Sequence, residues 1–160
     1  DDFDKSTLLT GAGNDKVTIG GDVKNKSSLI DLGAGDDTIA VGNIENGKID
    51  GGDGYDKLAI TNPGRSINLD SIADHAHNFE ELNISNKSQN TTLSVKLSDV
   101  ISLTDGDNTL KITADAGDKV EFKDAGWQKG ASTDGYTAYT NDTSGTTVTV
   151  EIKDEVTQPM

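Results

Sequence analysis

Three short segments of the chain repeat one arrangement of glycine and aspartate, and they run Thr10–Val17, Leu32–Ile39 and Gly51–Leu58. In each segment two glycines precede an aspartate, and a large apolar residue follows that aspartate two positions later. Glycine accepts positive φ without a Cβ clash, so a tight turn can aim successive carbonyl oxygens at one point. The aspartate adds a charged oxygen there. Because Ca²⁺ takes about six to eight oxygen ligands, the segments predict calcium sites that are each shared by two stacked turns.

The residues after each aspartate predict the strands that position these turns. Apolar and polar residues alternate there, as Ile39 and Val41 show, and this period of two is typical of a strand with one face buried. One repeat is therefore one turn and one strand. Three stacked turns enclose two gaps, which predicts at least two ions, one between the turns of Asp15 and Asp37 and one between those of Asp37 and Asp56.

The full nonapeptide G-G-x-G-x-D-x-U-x, where U is a large apolar residue, is the calcium-binding repeat of parallel β-helices. The copy at 51–59 matches every position, and the other two lack only the first glycine, which is replaced by Leu32 and Thr10. By these residues the chain resembles the RTX (haemolysin-type) proteins, which Gram-negative bacteria secrete by type I machinery. The resemblance is specific for residues 9–60. It implies a calcium-loaded right-handed parallel β-roll, and it implies no particular activity, because toxins, proteases, lipases, surface-layer proteins and adhesins share these repeats.

The expected calcium ligands are aspartate side chains together with backbone carbonyls of the turns. They are Thr10, Gly11, Gly13, Asp15, Leu32, Gly33, Gly35, Asp37, Gly51, Gly52, Gly54 and Asp56. Four further aspartates are secondary candidates, two of them just ahead of the turns and two in a degenerate motif at 115–120. They are Asp31, Asp50, Asp115 and Asp118.

The spacing of the copies predicts the shape of the fold. Gly11 and Gly33 are 22 positions apart, and Gly33 and Gly52 are 19 apart, whereas two nonapeptides in succession repeat at about 18. The extra residues fall in motif-free insertions at 24–28 and 42–47. We therefore expect an all-β fold, a right-handed parallel β-roll or β-solenoid with calcium turns on one edge only.

Three parts are expected along the chain. Residues 1–62 form the calcium-binding rungs, and 63–125 continue as a degenerate solenoid with a short helical insert. Residues 126–160 form a hairpin cap and tail, with a joining turn near 141–145, and the hairpin closes the exposed end of the solenoid. The order of parts over 79–152, most specifically Leu97–Leu110, is similar to the region near the C-terminus of large repetitive RTX adhesins.

The amino-acid composition restricts the classes of partner that the chain is expected to bind. The 28 acidic residues against 14 Lys and Arg give a net charge of −14, which argues against nucleic acid and anionic membranes as partners and favours cations. No cysteine is present, so bound calcium is the available substitute for disulfides. No apolar run approaches about 20 residues, so no membrane insertion is expected. The first residues do not resemble a signal peptide and the chain begins in mid-pattern without Met, which we interpret as a fragment of a longer protein.

No catalytic motif is recognisable, and we expect no enzyme activity. His75 and His77 could face one side of a strand as two metal ligands, but no third ligand completes a signature. Trp127, Tyr136 and Tyr139 could bind a glycan or peptide, although such a tryptophan is more often a packing anchor.

Three hypotheses for the function therefore stay open. The first is a structural and export module of a secreted, cell-surface adhesin, whose partners are calcium ions, the type I secretion machinery and a host or biofilm surface ligand. The second is a glycan- or peptide-binding module of such an adhesin. The third is an accessory domain of a secreted enzyme or toxin.

Overall fold

The structure is a computed structural model that describes residues 1–143 and 145–157. Within these residues the chain forms short strands and two short helices, and most of the strands have two to four residues because a turn follows after so few. The strands are β1 Phe3–Asp4, β2 Thr7–Leu9, β3 Lys16–Thr18, β4 Val23–Lys24, β5 Leu29–Asp31, β6 Thr38–Val41, β7 Lys48–Asp50, β8 Lys57–Ile60, β9 Ser66–Asn68, β10 Ala76–His77, β11 Glu81–Asn83, β12 Thr92–Val95, β13 Thr109–Thr113, β14 Lys119–Phe122, β15 Gln128–Thr133, β16 Tyr136–Thr143 and β17 Thr146–Lys153. The helices are α1 Leu69–Ala73 and α2 Leu97–Leu103.

The strands lie in four separate sheets. The largest has eight strands in the order β15-β16-β17-β13-β11-β8-β6-β3, and a second has four in the order β10-β7-β5-β2. The other two are a three-stranded sheet, β14-β12-β9, and the pair β1-β4. Strand pairing is parallel except for β15 with β16 and β16 with β17, which are antiparallel.

The register of the parallel strands places like residues over one another. One inward row of the eight-stranded sheet consists of Val17, Ile39, Leu58, Leu82, Ile112 and Ile152. A matching row in the four-stranded sheet consists of Leu8, Ile30, Ile49 and Ala76. Most of these side chains are fully buried and belong to one continuous hydrophobic cluster, so the apolar residue of each repeat packs on that of the next.

The two helices form where apolar residues have helical rather than alternating spacing. Leu69, Ile72 and Ala73 of α1 are buried at positions i, i+3 and i+4, and Val100 and Leu103 of α2 are buried at i and i+3. The two helices contact each other. No helix within the described ranges is long and apolar enough to span a membrane.

The expectation of a single right-handed parallel β-roll or β-solenoid is wrong. The strands are divided among four distinct sheets, the eight-stranded sheet mixes parallel and antiparallel pairs, and two helices interrupt the strand order. The predicted C-terminal hairpin is present as the antiparallel pair β16 and β17, but it extends the large sheet through β13 instead of capping a roll. The predicted hairpin turn near 141–145 includes Ser144, which lies outside the described residues.

The physical reason for this difference is that short apolar segments do not specify their own partners. Residues 69–73 and 97–103 have their buried apolar residues at helical spacing, so they form helices instead of further strands. The long C-terminal strands can close an antiparallel ladder over eight residue pairs, which short parallel rungs do not offer.

Candidate functional site

The three glycine-rich turns lie directly over one another at one edge of the molecule. Each turn leaves a strand of the four-stranded sheet and enters a strand of the eight-stranded sheet, from β2 to β3, from β5 to β6 and from β7 to β8. Parallel bridges join Ala12 to Ala34 and Ala34 to Asp53, so the turns are in register at their centres. The prediction that the three copies stack on one another is confirmed at this level.

The glycines of these turns have positive φ, with values from 98° to 141° at Gly11, Gly13, Gly33, Gly35, Gly52 and Gly54. They also allow close approach between turns. A Cβ built on Gly33 would lie 1.8 Å from the carbonyl oxygen of Gly11, and one on Gly52 would lie 1.8 Å from that of Gly33. The carbonyl of each turn therefore reaches the Cα of the next, and only glycine fits there.

The aspartates of the three turns form a hydrogen-bonded series. The backbone N–H of Asp15 donates to Oδ1 of Asp37 at 2.6 Å, and that of Asp37 donates to Oδ1 of Asp56 at 2.7 Å. Asp37 and Asp56 are fully buried. One carboxylate oxygen of each thus fixes the neighbouring turn, which leaves the other oxygen free for a further partner.

The second carboxylate oxygen of each turn aspartate, Oδ2, has no hydrogen-bond partner among the described residues. Oδ2 of Asp15, Asp37 and Asp56 is buried in each case and accepts no hydrogen bond from any described residue. An unpaired buried polar atom costs about 1 to 3 kcal/mol, and a charged one costs more. Three such atoms lie in one stack of turns, and each lacks the partner that a buried carboxylate oxygen requires.

Glu80 extends the series beyond the third turn. Its Oε2 accepts the backbone N–H of Asp56 at 2.8 Å, and the N–H groups of Glu80 and Glu81 both donate to the Asp56 carbonyl at 3.1 Å. The sequence interpretation missed Glu80 because no glycine motif precedes it. The signal was present, however, since Glu80 stands two positions before Leu82 as each aspartate stands two positions before its apolar residue, and Leu82 pairs in register with Leu58.

The concentration of carboxylates changes their acidity. Burial raises the pKa of Asp56 to about 6, and the negative charges of Asp37 and Glu80 act in the same direction. Burial also raises the pKa of Glu80, with the charge of Asp105 adding to the shift. A cation bound beside these carboxylates would favour their ionised form and so lower both pKa values.

The remaining candidates have different surroundings. Thr10 Oγ1 donates to the Leu32 carbonyl at 2.5 Å, and the Leu32 side chain is buried in the core, so these two residues could offer a cation only backbone or hydroxyl oxygens. Asp31 and Asp50 pair in register at the ends of β5 and β7. Asp50 Oδ1 already accepts the side-chain amide of Asn78 at 2.7 Å.

Asp115 and Asp118 lie away from the turns, in the loop between β13 and β14. Both oxygens of the buried Asp118 are used, since Oδ1 accepts the Thr91 N–H at 2.7 Å and Oδ2 accepts the Asp115 N–H at 2.8 Å. Asp118 therefore holds its loop together. Oδ2 of Asp115 is buried and accepts no hydrogen bond from the described part of the chain.

Among the described residues, no group of three or more His, Cys, Asp or Glu side chains is arranged to hold a metal ion by itself. A cation in the turns would consequently depend on backbone carbonyl oxygens for most of its ligands. The glycine carbonyls that face the next turn already accept one hydrogen bond each, Gly11 O from the Ala34 N–H and Gly33 O from the Asp53 N–H, both at 2.8 Å. Each therefore has one lone pair left for a cation.

Comparisons with known proteins add no relative to this chain. No family model matches it, and neither the curated proteins nor the solved structures contain a match.

Proposed function

We propose that this chain is a calcium-binding RTX-type module of a secreted bacterial surface adhesin, and that the three stacked turns take up Ca²⁺ outside the cell. The observation that carries the proposal is the set of three buried Oδ2 atoms without partners, on Asp15, Asp37 and Asp56. Each lies in a turn whose glycines bring carbonyl oxygens against the next turn.

Several features favour Ca²⁺ over other cations. The available ligands are all oxygen, with neither thiolate nor imidazole in the turns, and such ligands suit hard cations. Mg²⁺ requires a near-ideal octahedron of short bonds and gives up its water reluctantly, whereas Ca²⁺ accepts irregular groups of carbonyls and carboxylates. The net charge of −14 raises the local concentration of any divalent cation.

The energetics link ion uptake to folding. An ion present at about a hundred times its dissociation constant stabilises the folded state by about 2.7 kcal/mol per site, provided that the unfolded chain does not bind it. Two sites would contribute about 5 kcal/mol, the lower end of the stability of an ordinary domain. Without the ions, the buried carboxylates oppose folding.

This coupling suits export by a type I machinery. Extracellular calcium modules have dissociation constants of about 0.1 to 1 mM, so the turns stay empty at the much lower calcium level of the cytosol. The chain would then pass through the secretion channel unfolded and fold outside. The adhesin assignment and the cell-surface location rest on the resemblance of residues 9–60 and 79–152 to that class of protein.

Calorimetric titration of the chain with CaCl₂, combined with circular dichroism, tests the proposal. We expect at least two Ca²⁺ ions per chain and a large gain of β-structure or melting temperature on calcium addition, with MgCl₂ much less effective. Asp53→Asn is the matched control, because Asp53 lies in the third turn but its side chain is exposed. A spectrum and a melting temperature that chelator leaves unchanged would refute the proposal.

A further inference from the structure

A cleft at the C-terminal end of the molecule is lined by three aromatic residues that are distant in sequence. Phe122 ends β14, Trp127 lies in the loop that follows, and Tyr139 belongs to β16. The rings of Phe122 and Trp127 are stacked, with centroids 4.2 Å apart and planes within 9°, and Tyr139 meets Phe122 edge-on at 5.3 Å. These three residues, here termed the aromatic cleft, line a cavity of about 740 Å³. This volume lies within the range of small-molecule sites.

Tyr136 does not belong to the aromatic cleft, although the sequence suggested grouping it with Trp127 and Tyr139. It is three positions from Tyr139 on the same strand and so points to the other face. Its ring lies under Lys111 Nζ at 4.0 Å, and its hydroxyl is 2.9 Å from Thr113 Oγ1. Tyr136 therefore offers a matched control outside the cleft.

Two polar atoms of the aromatic cleft have no hydrogen-bond partner among the described residues. They are Nε1 of Trp127 and the hydroxyl oxygen of Tyr139, and both atoms are buried. The Tyr139 side chain is almost wholly buried, at 3% exposure. An indole N–H can only donate, so an occupant must present an acceptor to Trp127. Burial raises the pKa of Tyr139, so its hydroxyl stays protonated and can donate as well.

The charges around the cleft narrow the class of ligand. Two cations and two anions line the cavity, Lys119, Lys129, Glu121 and Asp124, so the formal charge of its lining is zero. Lys119 and the neighbouring Lys123 both pair with Glu121 at 2.7 Å. The net charge of −14 of the whole chain repels anionic ligands. A cationic ligand would be attracted, but it would bring donors where the cleft needs acceptors. A neutral molecule with acceptor oxygens and a flat apolar face meets both requirements.

We propose that the aromatic cleft binds a neutral sugar residue, which lies against the aromatic surface and accepts hydrogen bonds from Trp127 Nε1 and the Tyr139 hydroxyl. A pyranose presents hydroxyl and ring oxygens together with a face of C–H groups, which suits an aromatic wall with two unused donors. An extended peptide fits less well, because the cleft is a compact cavity bounded at its rim by charged residues. The site is separate from the glycine turns and does not depend on the calcium proposal.

Trp127 provides the measurement, since it is the only tryptophan of the chain. Its fluorescence would be titrated with the methyl glycosides of glucose, galactose, mannose and N-acetylglucosamine up to about 10 mM, well above the range of a 1 mM binder. N-acetylneuraminic acid and a proline-rich decapeptide would be titrated in parallel. We expect a saturable change in emission with at least one neutral glycoside and with neither of the other two probes.

Variants then test the two hydrogen bonds. Tyr139→Phe should weaken binding about threefold to tenfold, the effect of one lost neutral hydrogen bond, and Tyr136→Phe should leave it unchanged. Trp127→Phe, followed by calorimetry, should weaken it at least as much. Because the Tyr139 hydroxyl has no partner, Tyr139→Phe should be at least as stable as the parent chain, so reduced binding would not reflect unfolding. The absence of saturable binding to any neutral glycoside, or binding to the acidic sugar or the peptide alone, would overturn the inference, as would equal effects of Tyr139→Phe and Tyr136→Phe.

Discussion

Replacement of Asp37 by alanine should damage calcium binding more than replacement of Asp15. Asp37 lies in the middle turn, where its Oδ1 accepts the N–H of Asp15 and its own N–H donates to Asp56. It therefore borders both gaps between the three turns, whereas Asp15 borders only one. Asp37 is also fully buried, so its carboxylate is shielded from bulk water.

The magnitude follows from the number of ions lost. At calcium concentrations about a thousand times the dissociation constant, each site contributes about 4 kcal/mol, so Asp37→Ala should cost about 8 kcal/mol and Asp15→Ala about 4. The lost hydrogen bond from the Asp15 N–H to a charged carboxylate adds about 1.5 to 3 kcal/mol to the cost of Asp37→Ala. In chelator the two variants should differ much less, because no ions are lost and one buried charge beside Asp56 has been removed.

Urea denaturation, followed by circular dichroism with saturating calcium and with chelator, measures both effects. The two variants therefore differ by about 5.5 to 7 kcal/mol with calcium, and for a slope of about 2 kcal/mol/M this separates the two midpoints by about 3 M urea. Calorimetry should show that Asp37→Ala loses two ions and Asp15→Ala one, with Asp53→Asn as the control that loses none. Equal loss of calcium affinity in the Asp37 and Asp15 variants would refute the reasoning that the middle carboxylate serves both gaps.

Three further predictions concern pH, turn geometry and the end of the series. The pKa of Asp56 is raised to about 6 in the fold against about 3.9 in the unfolded chain, so without calcium its protonation should stabilise the fold by up to about 3 kcal/mol. This stabilisation is fully present below about pH 4 and is lost as the pH rises through about 6. With calcium the free energy of unfolding should instead rise with pH, because protons displace the ion at low pH. Urea midpoints of the parent and of Asp56→Asn between about pH 4 and pH 6 test this, and the same pH trend with and without calcium would contradict it. Gly33→Ala should destabilise the fold by about 2 to 5 kcal/mol, because Gly33 has positive φ and the added methyl group would meet the Gly11 carbonyl. The control Gly106→Ala, with open space around it, should change the free energy of unfolding by less than about 0.5 kcal/mol, and similar melting temperatures for the two variants would contradict the close approach of the turns. Glu80→Ala should lower the free energy of unfolding by about 1.5 to 3 kcal/mol, and Glu80→Gln should lower it less, because glutamine keeps an acceptor for the Asp56 N–H. Equal urea midpoints for the two variants would argue against that hydrogen bond.

The sequence alone determined the local geometry of the turns. Two glycines two positions apart and an aspartate two positions later favour a tight turn, because glycine tolerates positive φ and the aspartate accepts backbone N–H groups, and three copies in register make the prediction specific. The apolar residue after each aspartate fixed the strand and its inward face, as Val17, Ile39 and Leu58 show by their pairing in register. The stacking of the three turns followed from these local features.

Only the tertiary structure decided how the strands divide among the sheets and which distant residues lie beside the glycine-rich turns. The sequence predicts a short helical insert within 63–125, and helices form at 69–73 and 97–103, but the division of the surrounding strands among four sheets depends on which surfaces pack together. Glu80 lies 24 positions after Asp56, and its place beside Asp56 depends on how the intervening chain returns to the same edge, a separation over which sequence periodicity carries no information. The aromatic cleft has the same origin, since Phe122 and Tyr139 lie on strands of different sheets and meet only through the packing of those sheets.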